Sequence, residues 1–415
     1  MNNINQEVYD KNRQLKLKIL NTIRYKGPIS KQNIEKELCV NITTITPLVN
    51  ELKEKYGLLV AAGQEISSGG RRPVLYQINK EIGAVIGVDI GGDNVRVILI
   101  DIMGNIISSV TDKTNSEKDI KRLLDRIVSL IEKLIINSNI PKPKVYGIGL
   151  SISGIIDSKS GTSIFCPNIE GLNGFPLKKF MEEKTKLLTY VDDSVRCMAI
   201  AEKHYGIAKD YDNFIFLSLG KGIGAGIYTN GKIYRGSTGL SGELGHITVS
   251  ENGPICNCGN RGCLESIASG PGILKRAREG IENGIITSIT SLINNNFNNL
   301  SVDLIAREAK NGDKFAYSLM NRTGEYIGIA IATTLNLFGP ELVVLGGGIS
   351  NSGDIMMDAI KRTVQMRALG ILTQKVKIIN SQLGDNIAAL GAATKIINFL
   401  FTDTRQSFLS RKNFI

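Results

Sequence analysis

The segment from Gly242 to Glu265 reads GELGHITVSENGPICNCGNRGCLE and brings one imidazole and three thiols into a short span. His246, Cys256, Cys258 and Cys263 make a one-nitrogen, three-sulfur donor set, the tetrahedral kind that closes around a structural zinc ion. Asn257, Gly259, Asn260 and Gly262 permit the tight turns by which thiols two and five residues apart converge. In a cytoplasmic chain such a cluster favours a metal over disulfides.

A second chemistry-bearing pattern is a pair of glycine turns. Val88 to Arg96, VDIGGDNVR, reads as a strand running into a turn, and LGKGIGAG from Leu219 repeats the theme. Backbone N–H groups at such turns cradle phosphates. Asp93 sits in the first turn, where a carboxylate facing phosphates costs on the order of several kcal/mol unless a metal intervenes. Lys221 sits in the second, where a lysine by itself is compatible with phosphate.

The elements that must position these groups alternate between strand and helix from Ala84 to about Phe401, an α/β pattern. Ala84–Val88, Arg96–Asp101 and Ile106–Thr111 read as a three-strand meander, followed by a helix at about Lys118–Asn137. KVYGIGLSISGIID is a buried strand entering a glycine turn, and NFIFLSLGKGIGAGIYTNGKIYRG is strand, turn, strand and hairpin. The two halves read as a duplicated unit.

Ahead of this body lies a different rhythm. Leu15, Ile19, Leu20 and Ile23 recur at helical spacing, and Gly27-Pro28 ends that helix. Ser30 caps a second helix carrying Ile34 and Leu38. After a turn at Val40-Asn41 a third helix buries Ile45, Leu48, Val49 and Leu52. Pro47 lacks an N–H, which places it in the first turn of a helix starting near Thr43. Two strands, around Leu58–Ala62 and Val74–Ile78, flank a loop ending in Ser68-Gly69-Gly70-Arg71-Arg72-Pro73. This order is the winged helix-turn-helix pattern. Ser30, Lys31, Thr43, Thr44, Thr46 and Asn50 are the polar residues offered to base edges and phosphates, and Arg71 and Arg72 suit a minor groove or phosphates. Lys80–Gly83 reads as the boundary.

Charge agrees with that division. Residues 1–80 hold 13 Lys+Arg against 7 Asp+Glu, whereas the remaining 335 hold 37 against 32. More than half of the net +11 thus lies in a fifth of the chain, as expected of an end that meets nucleic acid. No apolar run is long enough to span a membrane, and the first residues lack the apolar core of a signal peptide, so a cytoplasmic location is expected. Cys39, Cys166 and Cys197 are expected as buried thiols, His204 as a surface residue, and the tail after Phe401 as disordered or an oligomer contact.

The duplicated body with DIGG in one half and LGKGIGAG in the other resembles the actin-like sugar-kinase fold. With the zinc motif it resembles, more narrowly, the ROK family (repressors, open reading frames and kinases) over essentially the whole chain. The resemblance implies a multidomain protein, an N-terminal winged helix-turn-helix at residues 1–79 followed by a two-lobed α/β actin-like ROK domain. Its small lobe is expected at 80–200 and its large lobe with the zinc motif at 201–384. A C-terminal helix at 385–401 then packs back on the body, and 402–415 is a tail.

Members carrying the DNA-binding module are typically sugar-responsive regulators of the xylose-repressor type. The resemblance therefore implies a homodimer or tetramer on double-stranded operator DNA, with xylose or another aldose as effector and Zn2+ as structural cofactor. It assigns sugar contacts to Asn168, Asp192, Asp193, Glu243, His246 and Glu265; Asp193 stands where the kinases keep their general base. Asp93 and Lys221 replace the threonines of the kinases' phosphate turns. If the two turns face each other, Asp93 and Lys221 pair across the vacated site. The expectation is a sensor rather than an enzyme; the alternative is an ATP-dependent sugar kinase using Asp193 as base.

Overall fold

The computed structural model describes residues 2–65, 72–114, 119–166, 169–403 and 407–410. Three helices open the chain: α1 (Asn2–Lys26), α2 (Lys31–Leu38) and α3 (Ile42–Glu54). They enclose a three-stranded antiparallel sheet of β1 (Ile29–Ser30), β2 (Leu59–Gln64) and β3 (Val74–Ile78) in the order β1-β3-β2. β1 is too short to leave a pattern in the sequence. Ser30 caps α2 by accepting from the Asn33 N–H at 3.4 Å, and Asn41 caps α3 by accepting from Thr43 N at 2.9 Å. Helix α3 therefore starts one residue before Thr43, and Pro47 sits in its second turn rather than its first. The pyrrolidine is exposed there, and a second-turn proline sacrifices one i→i−4 bond that the buried stripe of Ile45, Leu48, Val49 and Leu52 outweighs.

The body contains two five-stranded sheets. The first joins β4 (Ala84–Ile90), β5 (Asn94–Asp101), β6 (Ile106–Lys113), β7 (Val145–Ile152) and β10 (Thr189–Asp193) in the order β10-β7-β4-β5-β6. The second joins β11 (Phe214–Leu219), β12 (Ile223–Thr229), β13 (Lys232–Ile233), β14 (Leu342–Gly346) and β15 (Lys377–Asn380) in the order β13-β12-β11-β14-β15. Read from the antiparallel edge, each sheet runs third, second, first, fourth, fifth strand of its half. In both, the last two strands are parallel to the first. The duplication read from the glycine turns is thus a duplication of topology. A small hairpin, β8 (Ile155–Asp157) with β9 (Thr162–Phe165), lies outside both sheets.

Helices α4 (Ile120–Asn137) and α5 (Leu177–Thr185) serve the first half. The second half carries α7 (Leu264–Ala268), α8 (Gly270–Glu282), α9 (Ser288–Leu292), α10 (Val302–Lys310), α11 (Lys314–Phe338), α12 (Asp354–Arg367) and α13 (Gly370–Thr373). Between the sheets run α6 (Ser194–Tyr205) and α14 (Ile387–Leu400). The lobe boundary expected at residue 200 falls inside α6, which packs on strands of both halves.

One apolar cluster runs without a break from the head to the body. Ile19, Leu20 and Ile23 of α1 share it with Ile98, Ile100, Tyr146, Phe401 and Phe408. Of the tail after Phe401, expected to be disordered or an oligomer contact, residues 404–406 and 411–415 lie outside the described residues; within the described part, Phe408 is fully buried and packs edge-on between Tyr146 and Phe401. Cys166 and Cys197 are buried, but Cys39 is exposed: it takes a left-handed conformation as the C-cap of α2, outside the helix's buried face. Among the described residues no helix is long and apolar enough to cross a membrane.

Candidate functional site

The donor atoms of His246, Cys256, Cys258 and Cys263 all lie within 4.8 Å of one another. Cys258 Sγ is 3.6 Å from Cys263 Sγ, and Cys256 Sγ is 3.7 Å from His246 Nδ1. Tetrahedral bonds of about 2.3 Å to sulfur and 2.0 Å to nitrogen call for edges of roughly 3.5–3.8 Å, so the set fits a metal, whereas no pair is close to a disulfide. The loop closes because Gly262 has φ +71° and a Cβ there would fall 1.6 Å from the Ser250 carbonyl. With Nδ1 toward the thiols, His246 turns Nε2 toward Glu243 Oε2, 3.9 Å away. The ring thus lies between the sulfur atoms and the Glu243 carboxylate.

Close to Glu243, Asp193 ends β10 and caps α6. Its Oδ1 accepts from the N–H groups of Val195 and Arg196, each at 3.0 Å, and Oδ2 has no hydrogen-bond partner among the described residues. Burial pushes the carboxyl up to about 6; Arg196 opposes the rise, and the charges of Asp192 and Glu243 add to it. Glu243 is itself raised, by burial first and by Glu265 in addition, against the pull of His246 and Arg196. The carboxylates of Asp193, Glu243 and Glu265 therefore crowd one region. Glu265 is partly committed there: Oε2 accepts from the Ile223 N–H at 2.8 Å and so supports the second glycine turn.

Asp192 does not present itself as a sugar acceptor. It is fully buried, and its oxygens are taken by Arg196 Nε at 2.9 Å, Arg235 at 2.5 and 3.2 Å, and the Tyr190 hydroxyl at 2.6 Å. Burial would raise this carboxyl, but Arg196 and Arg235 hold it at about 2. Arg235 follows β13 in the second half, while Asp192, Tyr190 and Ser158 lie in the first, so this cation staples the two halves together. Arg196 also donates to the Gly239 carbonyl at 3.1 Å, steadying the loop that leads to Glu243. Sequence reading missed both arginines. The i,i+4 spacing of Asp192 and Arg196 was a legible signal; nothing local marks Arg235.

The two glycine turns face each other. Lys221 Nζ lies 2.5 Å from Asp93 Oδ1, both side chains about half exposed at 52% and 54%. Below them, buried Asp89 accepts from Ser151 Oγ at 2.8 Å and lies 3.8 Å from Arg96; burial raises it to about 6 against both partners. Asp89, Asp93, Ser151 and Asp193 collect at the carboxyl ends of the parallel strands β4, β7 and β10, where open α/β sheets bind their ligands, and Lys221 reaches them from the end of β11.

On the head, Thr43 and Thr44 are exposed, and Thr46 and Asn50 are partly so. Lys31 Nζ donates to Asn50 Oδ1 at 2.8 Å, tying α2 to α3. Ser30 is fully buried, so its hydroxyl serves the helix cap and not the surface expected of it. Arg72 is exposed; Arg71 and Asn168 lie outside the described residues.

Residues 85–398 match the ROK family. The chain is 33% identical over 383 residues to the xylose repressor of Caldicellulosiruptor bescii, covering 92% of this chain and 95% of that one. It is 33% identical over 307 residues to the glucokinase of Halalkalibacterium halodurans, covering 74% of this chain and 92% of the enzyme. Among solved structures, a ROK family transcriptional regulator, a homologue of the Escherichia coli Mlc protein, superimposes with a TM-score of 0.81. The two share 27% identity, and the match covers 93% of this chain and 96% of that one.

Proposed function

The chain belongs to the ROK family, and from that premise we propose that it is a sugar-responsive transcriptional repressor whose kinase-like body senses sugar without phosphorylating it. The observation that carries this reading is the Lys221–Asp93 pair, which occupies the space between the two glycine turns where nucleotide phosphates would otherwise sit. Expelling it to admit a triphosphate would set Asp93 against like charge.

The head is read as a winged helix-turn-helix. Helix α3 offers Thr43, Thr44, Thr46 and Asn50 to the major groove, and Lys31 and the wing arginines Arg71 and Arg72 meet the backbone. Two heads of a dimer, or of a tetramer, would engage the half-sites of a palindromic operator. The sugar is a monosaccharide, xylose or another aldose. Its hydroxyls would donate to Asp193, Glu243 and the free oxygen of Glu265, with His246 Nε2 and Asn168 at the rim; charged acceptors make these strong hydrogen bonds. His246, Cys256, Cys258 and Cys263 would hold a structural zinc ion, which cross-links the segment bearing Glu243 to that bearing Glu265. Sugar binding acts on DNA affinity only through a difference in affinity between the two states of the body.

A second reading, an ATP-dependent sugar kinase, keeps one observation in its favour: Asp193 has an unengaged oxygen and a raised pKa suited to a general base. One pair of measurements separates the two. Operator binding weakened by D-xylose or another monosaccharide, with no ADP formed from ATP and the same sugars, supports the sensor. ADP formation at a metabolic rate refutes it.

A further inference from the structure

Helix α6 begins among the carboxylates of the candidate sugar site and ends against α1 of the head. Its N-cap is Asp193, and its last turn carries His204 and Tyr205. Twelve residues at about 1.5 Å of rise each make a rod roughly 18 Å long. His204, expected at the surface, is instead partly buried against the head. Its ring stacks on Tyr25 of α1, with centroids 6.0 Å apart and planes 26° apart, and the Asn398 amide of α14 lies 3.3 Å from its Nε2.

We propose that α6 is the lever of this regulator, carrying the occupancy of the sugar cleft from its cap, Asp193, to the DNA-reading head through the contact of His204 with Tyr25. The inference rests on the sugar-sensor reading and adds to it the route of the signal.

Both ends are built for transmission. At the cleft the same carboxylate that caps the helix has a second oxygen open to a ligand, so a sugar hydroxyl bound to Asp193 acts directly on the helix terminus. Along its length the rod is held stiffly. Cys197, Ala199, Ile200 and Ala201 are at most 1% exposed, and α14 lies backbone to backbone against it. A Cβ on Gly391 would fall 1.7 Å from the Cys197 carbonyl, so the two helices shift together or not at all. At the far end, Tyr205 Oη lies 3.3 Å from Thr394 Oγ1 of α14.

The head has few ways to ignore such a shift. Arg24 of α1 packs over the rings of Tyr25 and Phe401 at 5.2 and 4.7 Å. The C-terminal segment grips the same helix: Arg13 Nε pairs with Asp403 at 2.7 Å, Gln14 donates to Asp403 at 3.1 Å, and Asn21 donates to the Phe401 carbonyl at 2.9 Å. Lys16 then links α1 to α3 through Glu51 at 2.6 Å. Burial, reinforced by Arg24, Lys203 and Lys395, lowers the His204 pKa to about 3, so the imidazole meets Tyr25 in its neutral form. A small rotation of α6 is therefore passed through ring packing to α1, and through α1 to the helix offered to DNA.

The test uses full-length protein and a duplex enriched by it from a random-sequence library. Binding of D-xylose and other aldoses is measured by calorimetry, and duplex affinity with and without the sugar that binds. His204→Ala and Tyr25→Ala are expected to bind sugar and duplex within about threefold of wild type but to lose at least tenfold of the sugar-induced change in duplex affinity. Should Ala lower the yield of folded protein, His204→Gln, which keeps a planar polar side chain, is expected to fold and show the same loss. Hydrogen exchange on adding sugar is expected to change in both α6 and α1. A wild-type response in all three variants, or an exchange change confined to the first turn of α6, overturns the lever. If the wild type binds sugar and duplex but the two do not influence each other, the sensor reading itself fails, and the lever with it.

Discussion

Lys221 and Asp93 occupy equivalent positions in the two halves of a duplicated fold, each in the turn between the first two strands of its half, and they meet at 2.5 Å. The two turns of the duplicated fold here set a cation against an anion. The pair is half exposed, so its stabilisation of the fold is small, about 0–1 kcal/mol. On the sensor reading proposed above, its consequence is occupancy of the phosphate site. Replacing both residues by threonine is expected to create measurable binding of a magnesium–ATP analogue where the wild type shows none, with little change in melting temperature. Calorimetry with the analogue checks it, and equal nucleotide binding before and after the exchange would count against the blocked site.

Asp193 gives the cleft a pH dependence whose sign follows from its raised pKa. Protonation is favoured in the folded protein up to about 6, so the ionised acceptor predominates only above that value. Sugar affinity is expected to fall as pH drops through about 6. Fold stability moves the other way, declining as pH rises from the ordinary aspartate range toward 6, because ionising a buried carboxyl is unfavourable. Asp193→Asn should weaken sugar binding and remove this pH dependence. A titration of affinity against pH for the two proteins decides it.

His204 behaves oppositely. Its pKa of about 3 lies well below the ordinary value near 6.5, so the folded protein holds the ring neutral. Its contribution to stability is complete above about 6.5 and is lost as pH falls from there toward 3, on the order of a few kcal/mol at most because the residue retains some exposure. His204→Gln should flatten this acid limb of the melting-temperature profile between pH 6.5 and 4.

The staple at Asp192 predicts asymmetric effects. Arg235→Ala leaves a fully buried carboxylate with only one of its two cations and is expected to destabilise the fold by on the order of 2–4 kcal/mol. Arg235→Lys should recover only part of this, since an ammonium cannot reproduce the two parallel bonds of a guanidinium. Denaturant titration of both variants measures it.

Metal removal should act on the same cleft. Stoichiometric zinc is expected in the purified protein, and Cys263→Ser or prolonged chelation should lower the melting temperature and weaken sugar binding by roughly tenfold or more, since Glu243 and Glu265 flank the loop the donors close. Elemental analysis together with calorimetry tests both effects.

The sequence was most readable where function is carried by contiguous residues. The donor set His246–Cys263, the paired glycine turns and the helical stripe of Ile45, Leu48, Val49 and Leu52 each announce themselves within a few turns of chain, because the constraint is local. Pro47 misled only in its turn: the helix starts one residue before Thr43 and holds the proline in its second turn, since a buried stripe outweighs one missing hydrogen bond. Cys39 misled because a C-cap faces outward even when its helix faces in.

Asp192 was legible as an acid beside Asp193 but not as a buried anchor. Its partner Arg235 is 43 residues away, and burial is a property of the packed chain. His204 and Phe408 were read as surface and tail for the same reason: most of the neighbours that pack on them, Tyr25, Asn398 and Tyr146, lie far from them in the sequence.

Residue chemistry and short-range periodicity were thus enough to specify most of the longer elements, the cluster of His246 with three cysteines and the family resemblance. Which carboxylate stays open and which is stapled shut, and that one helix reaches from the cleft to the head, were decided only when distant segments packed. Electrostatic pairing and desolvation depend on distance in space, and that distance is not written in the order of the residues.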